Sequence, residues 1–257
     1  YASNTKFRAN YFQSESVINL LSNQNKNKNK KYKEIKFPEK INYKNISFSY
    51  KNKKIIKNLN LELKKGDKIL IKGKSGSGKT TLVNILLGIL LPSHGNVRLN
   101  SKTFRNKDFY HLRSLYSYTP QDIFIFNGTF YENICLENYN NPKNYERVVN
   151  SAKYAEIFKF INNQKHKFNA YASYAARNIS GGQKQRLGIA RGLFKNKLIY
   201  VFDESTNSID KNVENKILEN IRKYYKDEII IFIFHKNLNK KLFNKRYEFR
   251  NKRLIKI

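Results

Sequence analysis

The sequence predicts an α/β fold in which a parallel sheet is covered by helices on both faces. Three segments carry that expectation: Lys68–Lys72 (KILIK), Leu198–Phe202 (LIYVF) and Ile229–Phe234 (IIIFIF). Each is apolar at consecutive rather than alternating positions, the pattern of a strand buried on both faces. Helical patterns separate them, and buried strands alternating with helices build a parallel sheet. A small antiparallel β part and a helical subdomain complete the expected architecture.

Residues 1–35 read as a lead-in helix and a linker. Val17, Ile18, Leu20 and Leu21 cluster on one face of a short helix over Phe12–Leu21. Asn23–Lys33 is almost all Asn and Lys, has nothing to bury, and reads as solvated linker. The domain proper is expected over 36–257. Ile41–Tyr50 alternates through Ile41 and Tyr43, passes Asn45, and continues through Ile46, Phe48 and Tyr50, which suggests a strand. Ile55–Leu63 is a second strand, followed by a turn at Gly66-Asp67. Thr80–Leu90 is an apolar helix ended by Pro92 and Gly95, and Val97–Leu99 is a strand. The Asn- and Tyr-rich stretch Gln121–Ala176 reads mainly as helix, so a helical subdomain is expected over about 121–186. Ser180–Phe194 is a helix opening on Gly181-Gly182, and Val213–Tyr224 is another. No internal repeat is evident.

With 257 residues, 40% of them hydrophobic, the chain can bury one large core or two small ones. A mean hydropathy of −0.71 marks a very polar surface. The formal net charge is +32, from 51 Lys+Arg against 19 Asp+Glu. Such a balance suits nucleic acid or anionic lipid. Lys, Asn, Ile, Tyr and Phe abound while Met and Trp are absent, so a bias in base composition accounts for the charge better than a dedicated polyanion site. Cys135 is the one cysteine, which excludes an intrachain disulfide and a multi-cysteine metal site. No run approaches the roughly 18 apolar residues of a membrane span. The chain opens at Tyr1 without a signal-like start and is expected to be a piece of a longer polypeptide.

Gly73-Lys74-Ser75-Gly76-Ser77-Gly78-Lys79-Thr80 fits the phosphate-binding pattern G-x-x-x-x-G-K-[ST], between a strand and a helix as that chemistry requires. Glycines let successive amides curl around phosphate oxygens, and the helix start adds its positive end. Lys79 is expected to reach the β- and γ-phosphates, Thr80 to ligate Mg²⁺, and Thr81 to touch the α-phosphate. A glycine-rich turn without function would not need that strand–loop–helix setting. The strand Leu198–Phe202 ends in Asp203-Glu204. Asp203 would hold Mg²⁺ through water, and Glu204 is placed to polarise an attacking water. An apolar strand ending in Asp-Glu is common by itself; its pairing with the phosphate loop gives it meaning.

Ile179-Ser180-Gly181-Gly182-Gln183, followed by Lys184-Gln185-Arg186, resembles the L/I-S-G-G-Q signature of the ABC ATPases, in the same order: phosphate loop, signature, Asp-Glu. The resemblance covers about Ile41 to Ile257 and implies a P-loop NTPase (RecA-like) core. It implies ATP and Mg²⁺ as ligands. Tyr50 stands where the family stacks an aromatic on adenine, although a core or edge tyrosine is the competing reading. Gln121 resembles the glutamine that touches Mg²⁺ and water. His235 follows the last apolar strand, as does the histidine that contacts the γ-phosphate; a structural histidine is the alternative. Asn207-Ser208-Ile209-Asp210 stands where the family usually has S-A-L-D, so Asp210 matches and Asn207 departs. The signature residues Ser180, Gly181, Gly182 and Gln183 imply a head-to-tail dimer, in which they cap the γ-phosphate held by a second ATPase domain.

Gln121–Ile134 (QDIFIFNGTFYENI) resembles the exporter form of this segment, with Phe126, Gly128-Thr129 and Glu132-Asn133-Ile134 in place. That implies membrane-spanning domains as partners, fused ahead of this domain, and a location on the cytoplasmic face of a membrane. The stretch Ala172–Arg177 carries no acid where exporters usually have a G-E-R-G-like segment, and Tyr174 aligns with its glutamate. Two alternatives stay open here: a soluble ABC ATPase acting on nucleic acid or the ribosome, favoured by charge alone, and a regulatory nucleotide binder without turnover.

Overall fold

An antiparallel sheet holds β1 (Lys40–Tyr50), β2 (Lys53–Lys64), β4 (His94–Leu99) and β5 (Lys102–Thr103) in the order β2-β1-β4-β5. The interrupted alternation of β1 has a structural cause. Its register against β2 slips by one residue between Tyr43 and Ile46, and Asn45 there takes φ +53°. An extra residue in one strand inverts the side-chain alternation beyond it. Ile41, Tyr43, Ile46 and Phe48 therefore all face the core.

The computed structural model describes residues 39–104, 108–136, 143–172, 179–234 and 240–257, all within the unit Pro38–Ile257. The lead-in helix over Phe12–Leu21, the Asn23–Lys33 linker, His235 and most of the acid-free stretch, Tyr174 included, lie outside the described residues.

The second sheet runs β12-β11-β3-β10-β9-β6, with β3 (Lys68–Lys72), β6 (Tyr116–Thr119), β9 (Ile199–Asp203), β10 (Ile229–Phe234), β11 (Lys245–Arg250) and β12 (Arg253–Lys256). From β11 to β6 every neighbour is parallel, and β12 closes one edge antiparallel. Every residue of β9 and β10 is buried, which is why they read as continuous apolar runs. Tyr43 ties the two sheets: its hydroxyl donates to Leu86 O at 2.9 Å and lies 2.8 Å from the Tyr116 hydroxyl.

Helix α1 (Lys79–Leu86) follows the phosphate loop and stops four residues before the sequence suggests. Gly88 takes φ +69°, and the amides of Ile89 and Leu90 both turn back onto Asn84 O. A left-handed glycine just past the helix end closes it before proline is reached. Helix α2 (Phe109–Ser114) precedes β6. The segment after β6 is helical over α3 (Phe130–Cys135), α4 (Lys143–Tyr154) and α5 (Phe158–Asn162), and it also contains the short pair β7 (Gly128–Thr129) and β8 (Tyr171–Ala172). It packs on α6 (Gly181–Phe194) through Ile134, Val148, Ile161 and Leu187, in one core with Phe202 and Phe232 of the sheet. Helix α7 (Lys211–Tyr224) links β9 to β10 and buries Ile217, Leu218 and Ile221. Among the described residues no helix is long and apolar enough to cross a membrane.

Three sheet strands carry little apolar signal. β6 (YSYT) is placed by small polar contacts with α6: Ser117 Oγ donates to Gly192 O at 2.8 Å, and a side chain on Gly192 would collide with Thr119 Oγ1. β11 and β12 are rich in Lys and Arg, and β11 buries Tyr247 and Phe249 on one face.

Candidate functional site

In a parallel sheet the carboxyl ends of the strands open onto one edge, where ligands bind. Three described strands carry motif residues to that edge. β3 runs into the phosphate loop, β9 into Asp203-Glu204, and β6 ends two residues before Gln121. β10 lies between β3 and β9, with Ile233 paired to Ile71 on one side and Asp203 on the other. The loop is pinned to this edge by the Gly73 amide, which donates to Phe234 O at 3.3 Å.

One loop glycine is required by space as well as by dihedral angle. Gly78, the N-cap of α1, takes φ +108°, and a Cβ there would lie 2.9 Å from Ile55 Cγ2 and 3.2 Å from Phe249 Cε1. Gly76 takes φ +72°. β2 and β11 are thus the walls between which the loop is folded. Inside the loop, Ser77 Oγ is buried without a protein partner.

Lys79 is buried, and its Nζ donates to Gly73 O at 2.9 Å and Lys74 O at 3.0 Å. It also pairs with Glu204 Oε1 at 3.3 Å. Glu204 adopts φ +49°, with its amide donating to Ile233 O at 2.9 Å. Asn207 Nδ2 donates to the other carboxylate oxygen, Oε2, at 3.1 Å. Asp203 is buried and accepts from the Tyr118 hydroxyl at 3.2 Å. Burial pushes the Asp203 carboxyl above the usual carboxylate range, against the opposing pull of the Tyr118 hydrogen bond and of Lys79. Burial, and then the Asp203 charge, raise the Tyr118 phenol in turn.

Lys79, Asp203 and Glu204 line one cleft of about 430 Å³, together with Ser75, Gly76, Ser77, Gly78, Thr80, Thr81 and Gln121. Thr80, Gln121 and Asp203 offer oxygen donors of the kind a hard divalent cation takes. Among the described residues no group of three His, Cys, Asp or Glu could hold a metal alone, so a cation here would complete its shell with phosphate oxygens and water. Lys53, Lys54 and Lys252 also line the cleft, and no motif pointed to them. Tyr50 does not line it; the residue is 49% exposed and its ring meets Phe48 edge-on at 4.9 Å. Ile55, five residues on, occupies the wall instead.

The signature residues form a capping box at the start of α6. Ser180 Oγ accepts from the Gln183 amide at 3.2 Å, and Gln183 Oε1 accepts from the Ser180 amide at 2.8 Å. Ser180 and Gly181 are exposed, and none of Ser180–Gln183 lines the cleft. Gly182 is a glycine because Ser208 O would sit 2.8 Å from a Cβ at that position.

The exporter-like segment is stitched to the same helix. Thr129 and Glu132 form a second capping box, and the buried Asn133 donates to Phe126 O and Thr129 O, both at 3.1 Å. Arg191 of α6 donates to Asn133 O at 2.7 Å and to Phe124 O at 2.8 Å. The G-T-x-x-E-N pattern is therefore a built turn: the Thr and Glu cap a helix and the Asn locks the loop before it.

The sequence pattern defining the ABC transporter family matches residues 56–207. This chain belongs to the ABC transporter family. Membership of that family implies ATP binding. Over 200 residues it is 36% identical to the lactococcin-G-processing and transport ATP-binding protein LagD of Lactococcus lactis subsp. lactis, covering 77% of this chain and 28% of that protein. Over 198 residues it is 36% identical to the leukotoxin translocation ATP-binding protein LktB of Mannheimia haemolytica, with 76% and 28% covered. The chain thus spans little more than a quarter of either relative. The structure of a bacterial Atm1-family ABC exporter with ATP bound superposes with a TM-score of 0.76 at 28% identity, over 84% of this chain and 38% of that chain.

Proposed function

We propose that the chain is the nucleotide-binding domain of an ABC exporter, coupling Mg²⁺-dependent hydrolysis of ATP to ADP and phosphate to movement of a substrate across a membrane. The observation that carries this reading is the meeting of Asp203-Glu204 with Lys79 and the phosphate loop in one cleft.

The side chains that line the cleft have roles that their positions support. The loop amides and Lys79 bind the phosphates, with Lys79 exchanging its carbonyl partners for phosphate oxygens. Thr80, Asp203 and Gln121 would hold Mg²⁺, which supplies charge neutralisation at the phosphates when bound. Glu204 accepts a hydrogen bond from the attacking water and orients it. His235 keeps the γ-phosphate role that its place in the sequence implies, and Tyr50 keeps the adenine.

Two partners complete the machine. A second ATPase domain in head-to-tail arrangement would receive Ser180 and Gly182, because a helix start with exposed amides suits an anion and this one does not face its own cleft. Membrane-spanning domains would dock on the helical segment, where Phe124 and Tyr171 are 68% and 71% exposed. With that docking the domain would lie on the cytoplasmic face of a membrane, where ATP is present. The proteins named above are transport proteins, which leaves the nucleic-acid or ribosome alternative resting on net charge alone.

The test is phosphate release by the purified chain with ATP, with and without Mg²⁺. Release that stops when EDTA is added is the expected result. Tight ATP binding without release at any Mg²⁺ concentration would favour a regulatory nucleotide binder.

A further inference from the structure

We propose that Tyr118 is a positioning residue for the divalent cation: its hydroxyl, donated to Asp203 Oδ2, fixes the carboxylate that is to hold the ion. The proposal rests on the reading of Asp203 as a cation-holding group.

Asp203 closes β9 and is buried, so it is largely shielded from the water that would otherwise solvate it. A buried carboxylate needs protein donors in place of that water. The Tyr118 hydroxyl supplies one at 3.2 Å. The contact follows from the sheet. In the parallel register Tyr118 stands beside Val201. Asp203, two positions past Val201, projects on the same face. The length of the phenol spans the offset between them.

The strand that carries the phenol is held on both faces. Ser117 Oγ donates to Gly192 O of α6 at 2.8 Å, and Thr119 lies so close to Gly192 that a side chain there would collide with it. On the opposite face the buried Tyr116 hydroxyl lies 2.8 Å from the Tyr43 hydroxyl. A slip of β6 along β9 would break both sets of contacts. The same strand leads to Gln121, which lines the cleft with Asp203. One held strand therefore sets two of the three groups assigned to the cation: Gln121 through the chain and Asp203 through the phenol.

Tyr118 itself is half-buried and does not line the cleft. It acts on the ion through Asp203, and its substitution leaves the phosphate contacts in place. A group that orients a metal-holding side chain from behind is worth about 10- to 100-fold in metal affinity.

The experiment compares wild type, Tyr118→Phe, Asp203→Asn and the double variant in the full 257-residue chain. Mn²⁺ stands in for Mg²⁺, and EPR of the free ion measures its affinity for the chain with ADP present, without turnover. ATP affinity in EDTA and thermal melting are measured on the same preparations. Tyr118→Phe removes one oxygen and keeps the ring. It is expected to weaken Mn²⁺ binding about 10- to 100-fold, with ATP affinity in EDTA changed by less than about threefold. The effect of Tyr118→Phe should vanish in the Asp203→Asn background, because the two residues act through one contact. An effect that persists in full in that background overturns the proposal. Wild-type Mn²⁺ affinity in Tyr118→Phe beside weak binding in Asp203→Asn also overturns it, whatever the melting temperature, and leaves the hydroxyl a purely structural role. Unchanged Mn²⁺ affinity in Asp203→Asn sinks the reading of Asp203 itself, and this proposal with it.

Discussion

Lys79 Nζ and Glu204 Oε1 stand 3.3 Å apart, with side chains only 8% and 12% exposed. The pair joins the two motifs that the sequence keeps 125 positions apart, since 204 − 79 = 125. Each charge is the other's compensation inside a cleft largely shielded from water. Binding of phosphate must therefore redistribute the Lys79 hydrogen bonds, and that couples occupancy of the loop to the state of Glu204.

Lys79→Ala removes the ammonium that faces the phosphates. ATP affinity is expected to fall about 10- to 100-fold, the equivalent of a charge-assisted hydrogen bond worth about 1.5–3 kcal/mol. Equilibrium binding of a fluorescent ATP analogue measures it. Unchanged affinity would remove Lys79 from the phosphate site.

Gly78→Ala forces a Cβ to within 2.9 Å of Ile55 at a residue with φ +108°. Strain at such a position costs about 1–3 kcal/mol. The midpoint of urea unfolding is expected to drop accordingly, and nucleotide binding with it, because the loop can relax only by leaving the wall formed by β2 and β11. An unchanged midpoint would show that the wall yields.

What was legible in the sequence, and what was not, follows from where the signal resides. KILIK, LIYVF and IIIFIF could be read because both faces of those strands are buried, so burial is written on every residue. YSYT in β6 could not: Ser117 and Thr119 are placed by the close approach of Gly192, a contact that no local pattern records. β11 hides Tyr247 and Phe249 among Lys and Arg. The site divides in the same way. The phosphate loop and Asp203-Glu204 are contiguous motifs whose chemistry needs adjacent residues, so they were visible. Tyr118, which donates to Asp203, and Lys252, on the β11–β12 turn, reach the site from strands that are neighbours only in space. Asn207 was noticed as a departure, but its bond to Glu204 needed the turn to be seen.

Asp203→Asn should separate stability from function. Burial raises the Asp203 pKa in the folded chain above its unfolded value, so folding favours the protonated form. Its contribution to stability is fully present below the ordinary carboxylate range and is lost as pH rises through the raised folded pKa. Asparagine can accept from Tyr118 without carrying the charge. The melting temperature of Asp203→Asn is expected to exceed that of wild type at pH 8, with the gap closing as pH falls, while Mg²⁺-dependent phosphate release is lost. A lower melting temperature at pH 8 would contradict the burial argument.

Head-to-tail pairing should depend on ATP and on salt. With Glu204→Gln, ATP and Mg²⁺, light scattering is expected to show a dimer. Pairing should be stronger at moderate than at low ionic strength, because two chains of formal charge +32 repel and salt screens that over about 10 Å at 0.1 M. A monomer under all conditions would assign the pairing to the membrane domains.

The central claim is that Glu204, at the end of β9 and opposite Lys79, polarises the attacking water. The most direct measurement is phosphate release by Glu204→Gln alongside ATP binding by the same preparation. The account expects binding retained and hydrolysis slowed about 10²- to 10⁴-fold, the usual worth of a positioned acid–base group. Hydrolysis near the wild-type rate, with binding intact, would contradict it.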